Sequence, residues 1–209
     1  MQIQLSLFEA IMDTLYLKPL FFIGLLPICI FLYIAFKNNT ELPKAKTIIC
    51  TVLMYYYICL LFNNVVGIPT LKEFFRLSRL GEPFFNPNIN LIPLDNGIGA
   101  EFILNILCFV PLGFLLPMLS YYYENPRKVI SFAFGLSLMI EISQLFTLYR
   151  ATDINDLVTN IFGAVSGYIL YKFIIKIKSP QKADVLQSDL TKILPTLIIM
   201  ICLIFTFIS

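Results

Sequence analysis

Long apolar runs separated by short polar segments dominate this chain of 209 residues. A helix needs about 20 mostly apolar residues to cross about 30 Å of hydrocarbon. The runs that meet this length are residues 17–36, 47–68, 98–120, 129–148, 157–177 and 191–208. The pattern therefore predicts an all-α, polytopic membrane helix bundle with about six transmembrane helices and no soluble domain.

Two shorter segments place apolar and polar residues on opposite faces of a helix. In residues 1–16, apolar positions recur three or four apart, with polar positions opposite them. Residues 71–79 repeat this arrangement, with cationic side chains on the polar face. Both patterns predict short amphipathic helices that lie in the membrane interface. Residues 81–97 are predicted to be extended, because prolines interrupt any helix there.

The composition also indicates a membrane protein. Hydrophobic residues make up 58% of the chain, charged residues only 13%, and the mean hydropathy is +0.83. The formal net charge is +2 and no stretch is densely basic, so we expect no nucleic-acid partner. The chain has no histidine, the most common metal ligand, and no C-x-x-C pair of cysteines. We therefore expect no cofactor and no resident metal.

The charges in the predicted loops indicate an orientation. Alternate loops carry about twice as many Lys and Arg residues as the loops on the opposite side. The positive-inside rule then places both termini outside, together with the loops 69–97 and 149–156. The expected regions are an N-terminal membrane region at residues 1–87, a core of three spans at 88–177, and a Lys-containing loop with the last span at 178–209.

Polar residues of the third, fourth and fifth predicted spans gather at one membrane face, because the third and fifth spans begin where the fourth ends. They are Glu101, Asn105, Glu141, Gln144, Asp153, Asp156 and Asn160. Ionisable groups within a span are costly and usually face the bundle interior or a wet cavity. We expect all of these residues except Glu101 to form a shallow pocket that opens to the outside. Its rim would come from the fifth span and its floor from the third and fourth.

Some of these residues are equally suited to purely structural roles. Asp153 is placed to cap the fifth helix, and Asp156 to interact with the dipole of its first turn. Asn105 and Gln144 are suited to hydrogen bonds between helices. A structural role for Asp153 or Asp156 is compatible with a place in the pocket.

Small and helix-breaking residues predict how the core spans pack. Gly163 and Gly167 form a G-x-x-x-G pattern, which is typical of closely packed membrane helices. Pro111 and Pro117 flank Gly113 in the third span, and this arrangement indicates a kinked helix that packs against its neighbours.

No strong catalytic signature occurs in the chain, since it lacks G-x-S-x-G, H-E-x-x-H and P-loop patterns. The residues favour a non-enzymatic role, and a purely structural or assembly role stays open, because G-x-x-x-G patterns and amide pairs often only join helices. Two alternatives with chemistry also stay open. One is a membrane-embedded, metal-dependent enzyme that acts on a lipid phosphate or a lipid-linked cell-wall precursor, with carboxylates holding Mg²⁺. The other is a proton- or cation-coupled transporter with Glu141 as the carrier.

Four motifs occur in order within residues 88–175. They are NLIPLDNG at 90–97, NILCFVPLGFLLP at 105–117, SLMIEISQL at 137–145 and ATDINDLVTNIFGA at 151–164. This ordered series resembles the VanZ-like family. The motif positions are Asn90, Pro93, Asn105, Pro111, Gly113, Glu141, Gln144, Asp153, Asp156, Asn160 and Gly163.

The VanZ-like family is named for a teicoplanin-resistance protein, so the resemblance implies lowered susceptibility to teicoplanin-type glycopeptides. It also implies a multi-pass protein of the bacterial cell membrane. From the residues and the resemblance together, we expect the outward pocket to meet a glycopeptide, a lipid or a lipid-linked cell-wall precursor. The two N-terminal spans and the last span lie outside the shared motifs.

Overall fold

The structure is a computed structural model that describes residues 15–38, 43–85, 87–90, 92, 99–147, 152–175 and 191–209. About four fifths of the described chain is helical, as the apolar runs predict. Most of the predicted interfacial helix at 1–16 lies outside the described residues, as do Pro93 and most of the Lys-containing loop.

Eight α-helices and two very short strands follow one another along the described chain. The helices are α1 (Leu20–Ile23), α2 (Leu25–Asn38), α3 (Lys44–Leu60), α4 (Leu71–Leu80), α5 (Ala100–Leu119), α6 (Pro126–Gln144), α7 (Ile154–Ile175) and α8 (Leu194–Ile208). A π-helical turn, Leu61–Val65, extends α3, and a 3₁₀ turn, Tyr121–Glu124, joins α5 to α6. The strands are β1 (Ile89–Asn90) and β2 (Thr152–Asp153).

Four helical stretches among the described residues are long and apolar enough to cross a membrane, where the sequence predicts about six spans. They are Leu20–Lys37, Lys44–Val65, Ala100–Leu119 and Ile154–Ile174. Helix α6 is long enough, but Arg127, Lys128 and Glu141 make it more polar. Helix α8 is strongly apolar but has only 15 residues. Six spans are therefore not confirmed by length and composition.

The helices run back and forth between two ends of the bundle. At one end, which we call the site end, α5 and α7 begin and α6 ends. The segment before α1 also lies there, since Lys18 Nζ donates to Ser209 Oγ after α8 at 3.4 Å. At the opposite, distal end, Tyr123 OH donates to the carbonyl of Lys192, just before α8, at 3.1 Å. Each long helix therefore has one terminus at the site end and the other at the distal end.

Helices α5 and α7 form the most extensive helix pair of the described residues. A Cβ atom added to Gly113 would collide with the backbone of Ala164. Cβ atoms added to Gly163 and Gly167 would collide with the carbonyl oxygens of Ile106 and Val110. The absence of side chains at these glycines lets the two backbones approach closely.

One continuous apolar core joins the N-terminal helices to the motif-bearing helices. It contains Phe21, Ile58, Leu112, Ile140 and Ile198, one from each of five helices. Many large apolar side chains point outward instead, and Phe173 is 72% exposed. An outer surface this apolar is typical of helices that face lipid.

Candidate functional site

A two-residue parallel bridge holds the segments before α5 and α7 together. Strand β1 pairs with β2 in the register Ile89 to Thr152 and Asn90 to Asp153. Thr152 also donates its backbone N–H to the carbonyl of Asn88 at 2.8 Å. The sequence predicts an extended segment here but not its partner. The bridge brings the first and last of the four motifs side by side.

Asp153 connects three parts of the site end. Its Oδ1 accepts the backbone N–H and the side-chain amide of Asn155, both at 2.8 Å, which caps the start of α7. Its Oδ2 accepts the amide of Asn90 at 3.2 Å. Its own backbone N–H donates to Glu141 Oε2 at 3.0 Å. Asp153 therefore has the predicted capping role and also joins β1 to the end of α6.

Glu141 lies beneath the β2 segment and is only 3% exposed. Besides its bond to Asp153, it accepts the hydroxyl of Thr152 at its backbone carbonyl, at 3.0 Å. Burying a carboxylate is costly unless it is hydrogen-bonded, and here it accepts a backbone N–H. Its position indicates that Glu141 orients the turn into α7.

Three amide side chains make further links between elements of the described chain. Asn105 on α5 donates to Asp156 Oδ1 on α7 at 2.6 Å. Asn160 on α7 donates to Ser137 Oγ on α6 at 2.9 Å. Gln144 at the end of α6 donates to the carbonyl of Val66 at 3.0 Å. These are hydrogen bonds between elements, the structural role that the sequence allows for Asn105 and Gln144.

A cavity of about 350 Å³ opens at the site end, between the starts of α5 and α7. The residues that line it are Gly99, Ala100, Glu101, Phe102, Asp153, Asn155, Asp156 and Thr159. Of the residues predicted for the pocket, Asp153 and Asp156 line the cavity. Asn105 is bonded to the cavity wall, while Glu141, Gln144 and Asn160 are buried behind it.

The cavity also has lining residues that the expected pocket omits. Glu101 lies at the predicted membrane face but is not a motif position, so no second signal in the sequence favours it. Asn155 and Thr159 are four residues apart and share one face of α7, which is a signal that periodicity alone could have provided. Phe102 adds an apolar wall.

Carboxylates dominate the chemistry of the cavity. Glu101 on α5 and Asp153 and Asp156 at the start of α7 give it a negative local potential, which favours cationic ligand groups. Within the described part of the chain, no group of three or more Cys, Asp or Glu side chains has a geometry suited to a metal ion.

Comparisons with known proteins place these features in a family. A family model described as VanZ/LLP1 matches residues 47–176, from within α3 to just past the end of α7. Protein VanZ of Enterococcus faecium is 34% identical over 98 residues. That similarity covers 46% of this chain and 60% of the length of the relative. No solved structure matches the chain.

The family match includes both strands, the helices α5, α6 and α7, and every residue that lines the cavity. It starts upstream of the four motifs and adds α4 and most of α3 to the shared region. Because the match covers more than half of the sequence, the chain belongs to the VanZ/LLP1 family.

Proposed function

We propose that this protein is a multi-pass protein of the bacterial cell membrane that lowers susceptibility to teicoplanin-type glycopeptides. The observation that carries the proposal is the acidic cavity of about 350 Å³ at the site end, lined by residues of the family match. The cavity would bind a polar head group that carries a cationic amine. That group would belong to the drug, a lipid or a lipid-linked cell-wall precursor.

The proposed membrane arrangement has six crossings, with α1 and α2 counted as one. Helix α6 has 19 residues, a length of about 28 Å at 1.5 Å per residue, which is close to the hydrocarbon thickness. Helix α8 is shorter, but it packs along α3 and ends beside Lys18 at the site end. The loop charges favour a site end that faces outside, where a glycopeptide would meet it.

In this proposal, the polar residues divide into two groups. Glu101, Asp153 and Asp156 line the cavity and would contact the ligand. Glu141 accepts the backbone N–H of Asp153 and Asn105 donates to the carboxylate of Asp156, so each holds a cavity-lining residue in place. Gln144 and Asn160 fasten α6 to its neighbours behind the cavity. The residues behind the cavity would therefore affect binding only by positioning the residues that line it.

Expression in a susceptible Gram-positive host tests the proposal. We expect the protein to raise the inhibitory concentration of teicoplanin more than that of vancomycin. Asp156→Asn and Glu101→Gln should each abolish this protection at unchanged membrane levels, because each removes a negative charge from the cavity. Glu82→Gln is the matched control, since Glu82 is an exposed carboxyl outside the cavity.

Three other results would count against the proposal in different ways. Full protection by both cavity variants would reject the cavity as the site. An equal loss of protection in Glu82→Gln would show that protection depends on the net charge of the protein and not on the cavity. No protection by the wild-type protein would reject the resistance function and leave the family fold unaffected.

A further inference from the structure

Helix α4 lies at the site end and is too short to cross a membrane. Its ten residues have a length of about 15 Å, half of the hydrocarbon thickness. Thr70 Oγ1 accepts the N–H of Glu73 at 3.3 Å and caps its start. Gly81 has a left-handed conformation, with φ of 69°, and ends it. Both ends are thus defined by local hydrogen bonding.

One face of α4 is attached to the bundle. Leu77 is only 1% exposed. The ring of Phe74 lies 6.0 Å from that of Phe207, near the end of α8, and 5.5 Å from that of Phe84. These contacts hold α4 beside the end of a strongly apolar helix, close to the lipid-facing surface.

The other faces of α4 are exposed and have two kinds of side chain. Phe75 is 60% exposed and Leu80 is 65% exposed, so both present apolar surface that no described residue covers. Lys72, Arg76 and Arg79 follow one another at spacings of four and three, and therefore share one side of the helix. Cations beside exposed apolar residues are typical of helices that lie in a membrane interface.

The two kinds of side chain line one shallow depression of about 420 Å³. Its lining residues are Lys72, Phe75, Arg76, Arg79 and Leu80. Glu73 forms an ion pair with Arg76, so one acidic charge partly offsets the cluster. The depression still carries a net positive charge and has an apolar edge.

We infer that this depression on α4 is a binding site for the headgroup of an anionic phospholipid. Lys72, Arg76 and Arg79 hold the phosphate by charge and hydrogen bonding, while Phe75 and Leu80 enter the upper acyl region. A soluble anion would use the cations but not the exposed apolar residues, so the lipid is the occupant that fits both. This site is separate from the acidic cavity and does not rest on the proposed resistance function.

Native mass spectrometry of the purified, full-length protein tests this inference. The protein in neutral detergent is titrated with phosphatidylglycerol and, separately, with phosphatidylcholine. Each cation near an anionic lipid contributes roughly fivefold to binding, so Lys72→Gln with Arg79→Gln should weaken phosphatidylglycerol binding roughly 25-fold. Phosphatidylcholine binding should stay unchanged. The double variant spares Arg76, which is paired with Glu73.

Two control variants separate a specific site from general charge or misfolding. Arg127→Gln with Lys128→Gln removes two exposed cations at the start of α6, at the distal end, and should leave phosphatidylglycerol binding unchanged. Lys72→Arg with Arg79→Lys keeps both charges on α4 and should retain binding close to that of the wild type.

Equal phosphatidylglycerol binding by the wild type and the Lys72→Gln, Arg79→Gln variant would overturn the inference. An equal loss in the distal control would do the same, because binding would then follow net charge alone. Displacement of the lipid by excess inorganic phosphate would also overturn it, since the site would then recognise a soluble anion.

Discussion

The two ends of the bundle use their carboxylates differently. At the distal end, Glu124 accepts the hydroxyl of Tyr171 at 3.0 Å and forms an ion pair with Lys172, whereas the site-end carboxylates accept amide and backbone N–H groups. At the distal end, Tyr123 donates to a backbone carbonyl before α8, and Tyr168 on α7 donates to the carbonyl of Glu124 at 2.6 Å. Burial, with a smaller effect of Tyr122, raises the pKa of Tyr123 to about 12, so its hydroxyl remains a donor. At the site end, several links between elements come from carboxylates and amides, as between Asn105 and Asp156.

This difference distinguishes polar side chains that only join helices from polar side chains that line the cavity. A tyrosine places its ring in apolar surroundings and its hydroxyl at the polar boundary, so it joins helices without burying a charge. Carboxylates are more costly to bury and are worth retaining where a site needs them. Glu101, Asp153 and Asp156 line a cavity at the site end, which is why we place the function there.

The largest expected loss of stability comes from a change between α5 and α7, the helix pair that runs from the site end to the distal end. Gly113→Ala should destabilise the protein by about 3 kcal/mol, because the added Cβ collides with the backbone of Ala164 and forces α5 and α7 apart. Gly135→Ala is the control, since no described atom lies within 4 Å of a Cβ added there. Thermal unfolding in detergent measures both. Equal melting temperatures for the two variants would contradict the close α5–α7 packing.

A smaller effect is expected from Glu141→Ala at the site end. It leaves the N–H of Asp153 without its acceptor, which costs about 1–3 kcal/mol when the group stays buried. The same variant should increase hydrogen exchange at the start of α7 more than at its distal end. Uniform exchange along α7 would show that Glu141 does not specifically hold this turn.

The smallest effect is expected from Tyr168→Phe at the distal end. This change removes one hydrogen bond, to the carbonyl of Glu124, and keeps the ring. Interhelical hydrogen bonds of this kind contribute about 0.6 kcal/mol in membrane proteins. The melting temperature should therefore fall less than in Glu141→Ala, with glycopeptide protection unchanged. A larger fall in melting temperature than in Glu141→Ala would show that the hydrogen bond at the distal end contributes more to stability than the bond of Glu141 at the site end.

The sequence predicts local features well. The run 98–120 became α5 at Ala100–Leu119, and the amphipathic pattern at 71–79 became α4 at Leu71–Leu80. The capping role of Asp153 was also predictable, because a cap bonds to residues two or three positions away. The six predicted spans are not confirmed: four described stretches are long and apolar enough to cross a membrane, while α6 carries three charged residues and α8 has only 15 residues.

What the sequence determined by itself is therefore an all-α chain with membrane-like helices and a set of polar residues at one end. Only the tertiary structure decided that Asn90 pairs with Asp153, that Gln144 reaches Val66, and that Glu101 lines the cavity while Glu141 lies behind it. The physical reason is the separation in sequence between the residues that interact. Helix formation and capping depend on residues a few positions apart, whereas these contacts depend on which distant elements the packing of α5, α6 and α7 brings together.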